Sequence, residues 1–177
     1  MSIPIIWYIA PIGAILALLF AWYFFKNVKK QDGGTPKMKE IAGYVREGAF
    51  AYLKQQYKAV SIFFDLAFVV FNLMAHVLGV LHWLIPFAFL TGGFFSGLAG
   101  YIGMNTATMA SNRTTAACRT SLNKGLQIAF RAGAVMGLVV VGLALIDISA
   151  WFFILNKTGM DLQKITVIML SFGMGAS

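Results

Sequence analysis

Residues 3–25, IPIIWYIAPIGAILALLFAWYFF, contain no charged side chain and decide the kind of fold that this chain can adopt. A helix needs about 20 mostly apolar residues to cross the roughly 30 Å of hydrocarbon in a bilayer. The stretch meets that requirement and predicts a membrane-spanning helix. It differs from a cleaved signal peptide, because no basic residue precedes it and its apolar run is too long.

Three further stretches satisfy the same length requirement. Residues 60–81 carry Asp65, Asn72 and His76, residues 84–104 are uncharged, and residues 132–155 carry Asp147 as their only charge. A fifth apolar run occupies residues 165–177. At 1.5 Å per residue it reaches only about 20 Å, which is too short to cross the bilayer. The run is therefore either re-entrant or the start of a fifth span. Because nothing polar or aromatic anchors its end, we expect the start of a fifth span and a fragment of a longer protein.

The composition of the whole chain agrees with these spans. Hydrophobic residues make up 59% of the 177 residues and charged residues 11%, against roughly 45–50% and about 25% in ordinary globular proteins. The single Cys118 excludes a disulfide framework and a cysteine-based zinc site. The sequence predicts an all-α integral membrane protein with four transmembrane helices and the start of a fifth, at residues 3–25, 60–81, 84–104, 132–155 and 165–177, joined by cytoplasmic loops 26–59 and 105–131.

The basic residues predict the orientation of the chain in the membrane. Twelve of the 14 Lys and Arg residues lie in 26–58 and 105–131, whereas Lys157 and Lys164 follow the fourth span. Cytoplasmic loops carry such an excess, so we expect the N-terminus outside and both basic loops in the cytoplasm. The same rule accounts for the net charge of +8 without a nucleic-acid partner.

The first cytoplasmic loop contains a predicted helix. Residues 32–36, DGGTP, break the first helix, and Thr35 and Pro36 have the residue types of an N-cap and a first helical position. The amphipathic stretch that follows has two interpretations. It continues into the second span as one helix, because no helix breaker separates Lys58 from Val60, or it lies on the lipid surface. The second loop is predicted to extend spans three and four as helices, with a turn near Asn123–Gly125.

Small residues recur at helical spacing in spans three and four: Gly93, Ser96, Gly97, Gly100 and Gly103, then Gly133, Gly137 and Gly142. Such stripes let helix backbones approach closely in a membrane. We expect spans three and four to pack against neighbouring helices through Gly97, Gly100, Gly133 and Gly137.

The six acidic residues form no recognisable catalytic arrangement. Asp32, Glu40 and Glu47 lie in the amphipathic loop, where they are interpreted as solvated charges. The HExxH and Walker motifs are absent. Asp65 and Asp147 are candidate functional residues because they are ionisable and lie within spans, and a structural role and an ion relay both remain open for them. The sequence thus predicts no catalytic, cofactor-binding or metal-binding residue in this chain.

Four sequence blocks carry a resemblance to a known family. They are MKEIAGYVREGAFAYLKQQYK at 38–58, GGFFSGLAGYIGM at 92–104 followed by Asn112-Arg113-Thr114, AFRAGAVMGL at 129–138 and FGMGAS at 172–177. In this order they resemble membrane-integral, ion-pumping inorganic pyrophosphatases. One departure is that Ser111, Asn112 and Thr115 stand where small alanines are commoner in the family.

The resemblance implies a fold and a role for this chain. By analogy with the family we expect a bundle of about sixteen helices, in which an outer ring that includes the first four spans surrounds an inner ring. This chain would then be the N-terminal scaffold of a pump that hydrolyses pyrophosphate with Mg²⁺ and drives sodium ions or protons outward. The resemblance places the magnesium ligands, the ion gate and the potassium-determining position beyond Ser177.

The same resemblance gives the expected partners and location. We expect pyrophosphate as the substrate of the full-length protein and Na⁺ or H⁺ as the transported ion. We also expect K⁺ as an activator, because the sequence of residues 134–137 is more similar to that of potassium-stimulated members. We also expect a homodimer in the bilayer of the bacterial inner membrane.

Two alternatives belong to other functional classes. One is a small, complete, non-enzymatic membrane protein such as a four-helix transporter subunit. The other is a membrane-surface anchor for a soluble partner, which would not need three further glycine-striped spans.

Overall fold

The computed structural model describes residues 5–177, and the regular secondary structure of that part is helical. Residues 3 and 4 of the first predicted span lie outside it. A 3₁₀ turn at Ile5–Tyr8 leads into five helices, α1 (Ile9–Lys29), α2 (Pro36–His76), α3 (Ile85–Cys118), α4 (Leu122–Lys157) and α5 (Leu162–Ala176). The first four are long and apolar enough to cross a membrane, whereas α5 is shorter. The predicted all-α integral membrane fold is confirmed.

The start of α2 is fixed by its cap. Pro36 is the first helical residue, and the Thr35 hydroxyl accepts a hydrogen bond from the Met38 amide at 3.3 Å. Gly34, with a φ of 79°, supplies the left-handed backbone that the preceding turn needs. The predicted N-cap and first helical position are therefore confirmed.

Helix α2 then runs without interruption through residues 58–60 to His76. The interpretation as one long helix is confirmed, and the separate interfacial helix is wrong. The helix ends where Leu78 donates to the Leu73 carbonyl at 3.2 Å and Gly79 adopts a φ of 63°. This backbone conformation is the usual way to close a helix C-terminus.

The turn between α3 and α4 lies earlier than predicted. It occupies residues 119–121, and α4 begins at Leu122, so the predicted turn at Asn123–Gly125 is wrong. A side chain at Gly125 would collide with the Cys118 sulfur. Gly125 therefore does not break a helix; it lets the first turn of α4 pack closely on the last turn of α3.

The helices contribute to two compact units. The first comprises the described part of Met1–Ile15 with Tyr57–Leu98 and Gly142–Ser177. Its core is built from α3, α4, α5 and the segment before α3, with these buried members: Leu84, Ile85, Ala88, Trp151, Leu155, Ile165, Ile168 and Phe172. The second comprises Leu16–Gln56 and Ala99–Val141, and its core is Val28, Ala110, Ile128 and Ala132.

Aromatic rings pack α2 against α3 in the first unit. Phe64 stacks on Phe89 with a centroid distance of 4.8 Å, and Phe71 meets the same ring edge-on at 5.1 Å. Gly93 leaves the space that Phe64 fills, since a side chain there would collide with the ring. Such aromatic pairs prefer these offset and edge-on geometries.

The glycine stripes of spans three and four make few close contacts within the described part of this chain. An added Cβ at Gly97, Gly133 or Gly137 would meet no heavy atom within 4 Å among the described residues. The predicted close packing through Gly133 and Gly137 is therefore not formed between the described helices, whereas the Gly97 carbonyl accepts a hydrogen bond from the Tyr57 hydroxyl of α2. Close approaches occur instead at Gly92 and Gly103.

Candidate functional site

The acidic side chains of the loop region are engaged locally. The Asp32 carboxylate accepts a hydrogen bond from the Gly34 amide at 3.1 Å. Glu40 pairs with Lys37 at 3.1 Å and accepts from the Tyr44 hydroxyl at 3.3 Å. Within residues 5–177, no three His, Cys, Asp or Glu side chains come together as a possible metal site. The expected lack of catalytic and metal-binding residues stays a prediction.

Polar contacts join α2, α3 and the turn before α2 in the second unit. The Arg46 guanidinium donates to the Asn105 side-chain oxygen at 2.9 Å. The Asn112 amide donates to the Gly33 carbonyl at 2.9 Å and so ties the turn to α3. Phe50 meets Tyr101 edge-on at 5.7 Å. These contacts fix the position of α2 on α3.

Arg113 lies next to this contact and has a different environment. Its Nη1 donates to the Met109 carbonyl one turn earlier at 2.6 Å. Its Nε is buried without a hydrogen-bond partner among the described residues. A guanidinium has five donors in a fixed plane, so Arg113 keeps donor capacity that the described helices do not use.

The two ionisable residues within predicted spans differ in burial. Asp65 on α2 is exposed, whereas Asp147 on α4 is 5% exposed. The Asp147 carboxyl lies beside the Thr91 side chain of α3, and its Oδ2 is buried with no hydrogen-bond partner in the described chain. Of the two candidates, Asp147 is the one that the structure places inside the protein.

Thr91 connects Asp147 to an aromatic side chain. The Trp151 indole Nε1 donates to the Thr91 hydroxyl at 2.9 Å, and that hydroxyl donates to the Ala88 carbonyl at 3.0 Å. We call Asp147, Thr91 and Trp151 the Asp147 cluster. All three belong to the first unit, beside its apolar core.

Sequence reasoning found one member of this cluster and missed two. Asp147 stood out as a charge in an apolar span. Trp151 could have been found, because residues four apart share one helix face. Thr91 could not, since it lies 60 residues from Trp151 and no pattern in a single sequence marks that contact.

Comparison with known proteins gives a family for this chain. Residues 15–177 match the sequence profile of the family described as inorganic H⁺ pyrophosphatase. All four sequence blocks quoted above lie in this range.

Three relatives show the range of the similarity. The chain is 53% identical over 98% of its length to a putative K⁺-stimulated pyrophosphate-energized sodium pump of Bacteroides thetaiotaomicron. It is 41% identical over 96% to a K⁺-insensitive pyrophosphate-energized proton pump of Moorella thermoacetica. It is 37% identical over 95% to a K⁺-insensitive pyrophosphate-energized proton pump of Methanosarcina mazei.

The similarity covers only part of each relative. The aligned segment is 25%, 24% and 23% of these three pumps, respectively. The chain therefore spans about a quarter of the length of the curated relatives it matches.

Proposed function

Because the chain belongs to the inorganic H⁺ pyrophosphatase family, we propose that it is the N-terminal scaffold of a membrane pump that couples Mg²⁺-dependent hydrolysis of pyrophosphate to the outward transport of an ion. The observation that carries this proposal is the profile match over residues 15–177. The names of the three relatives, all pyrophosphate-energized pumps, support the same activity.

The helices support a scaffold role for this part of the pump. The four sequence blocks lie on α2, α3, α4 and α5, and the contacts made by two of them are structural: Arg46 holds Asn105, and Asn112 holds the turn before α2.

The residues present do not fit a magnesium site. Mg²⁺ is usually held by carboxylates together with phosphate oxygens, and residues 5–177 bring no three acidic or other ligating side chains together. We propose that its ligands, the ion gate and the potassium-determining position belong to segments outside this chain.

We favour sodium as the transported ion and potassium as an activator. The basis is that identity is 53% to a potassium-stimulated sodium pump and 41% to a potassium-insensitive proton pump. The proposal also includes a homodimer in the bacterial inner membrane with the N-terminus outside.

The test uses the full-length protein in lipid vesicles with its cytoplasmic face outward. On addition of pyrophosphate and Mg²⁺ we expect phosphate release and Na⁺ uptake, both raised by K⁺. A protonophore should leave the Na⁺ uptake intact, because it collapses only a proton gradient. Uptake that the protonophore abolishes would replace sodium by the proton and leave the family activity in place.

A second part of this experiment tests the scaffold role. The 177-residue chain alone, prepared in the same vesicles, should release no phosphate above a mock preparation. Magnesium-dependent phosphate release by the chain alone would contradict the scaffold role. A full-length protein that binds lipid and folds but hydrolyses no pyrophosphate would contradict the proposed activity itself.

A further inference from the structure

One face of α1 is buried, and this determines which face of the helix stays open. Ala14, Ala21 and Val28, spaced two helical turns apart, are at most 2% exposed. In the second unit Val28 packs in the core together with residues of α3 and α4. At about 100° per residue, Lys26 and Lys30 each lie within about 20° of the direction opposite Val28. Both lysines are exposed.

The open face of α1 changes from apolar to aromatic to basic toward the end of the helix. Leu19 and Trp22 are more than half exposed, and Lys26, Lys29 and Lys30 follow them and are exposed. Lys26 lies about 6 Å beyond Trp22 along the helix axis, which matches the roughly 5–8 Å headgroup layer on each side of a bilayer. A helix that faces lipid needs this order, because hydrocarbon, interface and charged headgroups follow one another in the same order.

The Lys26 side chain is held over the Trp22 ring. Its Nζ lies 3.6 Å from the ring centroid, which is a cation–π contact. Tryptophan is favoured at the membrane interface, and a long lysine side chain there extends its ammonium group toward the headgroups. The contact therefore places this ammonium group at the level of the lipid phosphates.

The three lysines at the end of α1 have no anion of their own. The Lys30 amide donates to the Lys26 carbonyl at 3.1 Å, so the last turn brings all three together at helical spacings of three and four, where like charges repel. Helix α1 contains no acidic residue, and within residues 5–177 the only ion pair is Lys37–Glu40. The Asp32 carboxylate, the nearest acid in the sequence, accepts a backbone amide of its own turn.

We propose that the end of α1 binds the headgroup phosphate of an anionic phospholipid: Lys26, Lys29 and Lys30 surround the phosphate, and the Trp22 ring lies beneath it at the interface. A zwitterionic headgroup fits less well, because its own ammonium group competes with the lysines for the phosphate. Lysines clustered at the cytoplasmic end of a membrane helix attract anionic lipids, and the proposed orientation puts them there. The inference rests on the location of the chain in a membrane and not on the pump activity.

Photo-crosslinking locates the lipid on the full-length protein. The vesicles are phosphatidylcholine with a small fraction of phosphatidylglycerol that carries a diazirine in its headgroup. Peptide mass spectrometry should find this lipid attached to residues 22–31. Excess unlabelled phosphatidylglycerol should compete, whereas excess phosphatidylcholine or inorganic phosphate should not. Equal competition by phosphatidylcholine would mean that the site accepts any headgroup, and competition by inorganic phosphate would mean a site for the free anion. Either result overturns the proposal.

Matched variants test the lysines. A diazirine inserts into bonds of any residue, so loss of cross-linking reports loss of binding. The double variant Lys26→Gln with Lys30→Gln should reduce the cross-linked fraction by about fivefold for each lysine removed. Arginine at both positions should preserve it. The control, Lys157→Gln with Lys164→Gln, removes two exposed positive charges elsewhere and should behave as the wild type. Wild-type cross-linking in the Lys26 and Lys30 glutamine variant, or an equal loss in the control, would show that the proposal is wrong.

Ionic strength provides a check that needs no variant. Salt screens exposed charges, with a Debye length of about 10 Å at 0.1 M and about 3 Å at 1 M. Cross-linking of the wild type to residues 22–31 should therefore fall as the salt concentration is raised across this range. Cross-linking that salt leaves unchanged would mean that charge does not hold the headgroup, which contradicts the proposal.

Discussion

At the scale of single residues, α3 and α5 approach each other where neither carries a side chain. A Cβ at Gly175 would collide with the Phe89 carbonyl oxygen and would lie 2.8 Å from the Phe89 carbonyl carbon. A Cβ at Gly92 would collide with the carbonyl oxygen of Phe172 on α5. Both obstacles are backbone atoms, which cannot turn away as the end of a flexible side chain can.

We therefore predict that Gly175→Ala destabilises the protein. Overpacking an interior contact costs typically 1–3 kcal/mol, and a backbone obstacle places this substitution toward the upper end of that range. The measurement is the thermal unfolding midpoint of the purified protein in detergent, which should fall.

Gly173→Ala is the matched control for this substitution. It lies two residues earlier in the same helix, and an added Cβ there meets nothing within 4 Å. Replacing a helical Gly by Ala is worth roughly 0.5–1 kcal/mol in favour of folding, so this variant should be as stable as the wild type or slightly more stable. Equal losses in both variants would mean that α5 does not pack closely on α3.

At the scale of elements, the start of α2 depends on one side chain. The Thr35 hydroxyl satisfies the Met38 amide, one of the donors that a helix leaves free in its first turn. We predict that Thr35→Ala lowers the free energy of unfolding by about 1 kcal/mol. Thr35→Ser should be neutral, because serine caps helices at least as well. Hydrogen exchange of the Met38 amide checks this, and unchanged protection in Thr35→Ala would contradict the capping role.

The elements that could be predicted from the sequence are those set by local chemistry. The cap at Thr35, the continuity of α2 and the helical extension of the third span depend on neighbours a few residues away. The turn lies at 119–121 and not at the predicted Asn123–Gly125, because Gly125 lies within α4 and serves a contact with Cys118. The neighbour of Asp147 was missed because a contact between distant segments leaves no trace in local pattern.

Across the molecule, only a small part of each candidate span is buried by the rest of the chain. In the most apolar stretch of each of the first four helices, between 0% and 33% of the residues are buried. Apolar surface left open to this extent is stable only against lipid or further helices. Gly133 and Gly137 lie on such open surface, since an added side chain there would meet no described atom within 4 Å.

The orientation of the molecule can be tested with single cysteines. In a Cys118→Ser background we predict that Lys30→Cys and Asn123→Cys are shielded from an impermeant thiol reagent in intact cells, whereas Thr158→Cys is labelled. All three positions are exposed in the structure, so burial in this chain does not account for shielding. Labelling of Lys30→Cys from outside would invert the proposed topology.

The unbroken course of α2 has a consequence for which mutations the protein tolerates. Tyr44 and Leu66 lie on this one helix, and each is 65% exposed. Tyr44 precedes the predicted span, so we expect it to face water, whereas Leu66 lies within that span, so we expect it to face an apolar medium. A lysine is nearly neutral in the first position and costs roughly 2.5–3.5 kcal/mol near the centre of a bilayer. Two equally exposed sites on α2 therefore differ in the substitutions they tolerate: polar and charged residues are acceptable at the first and destabilising at the second.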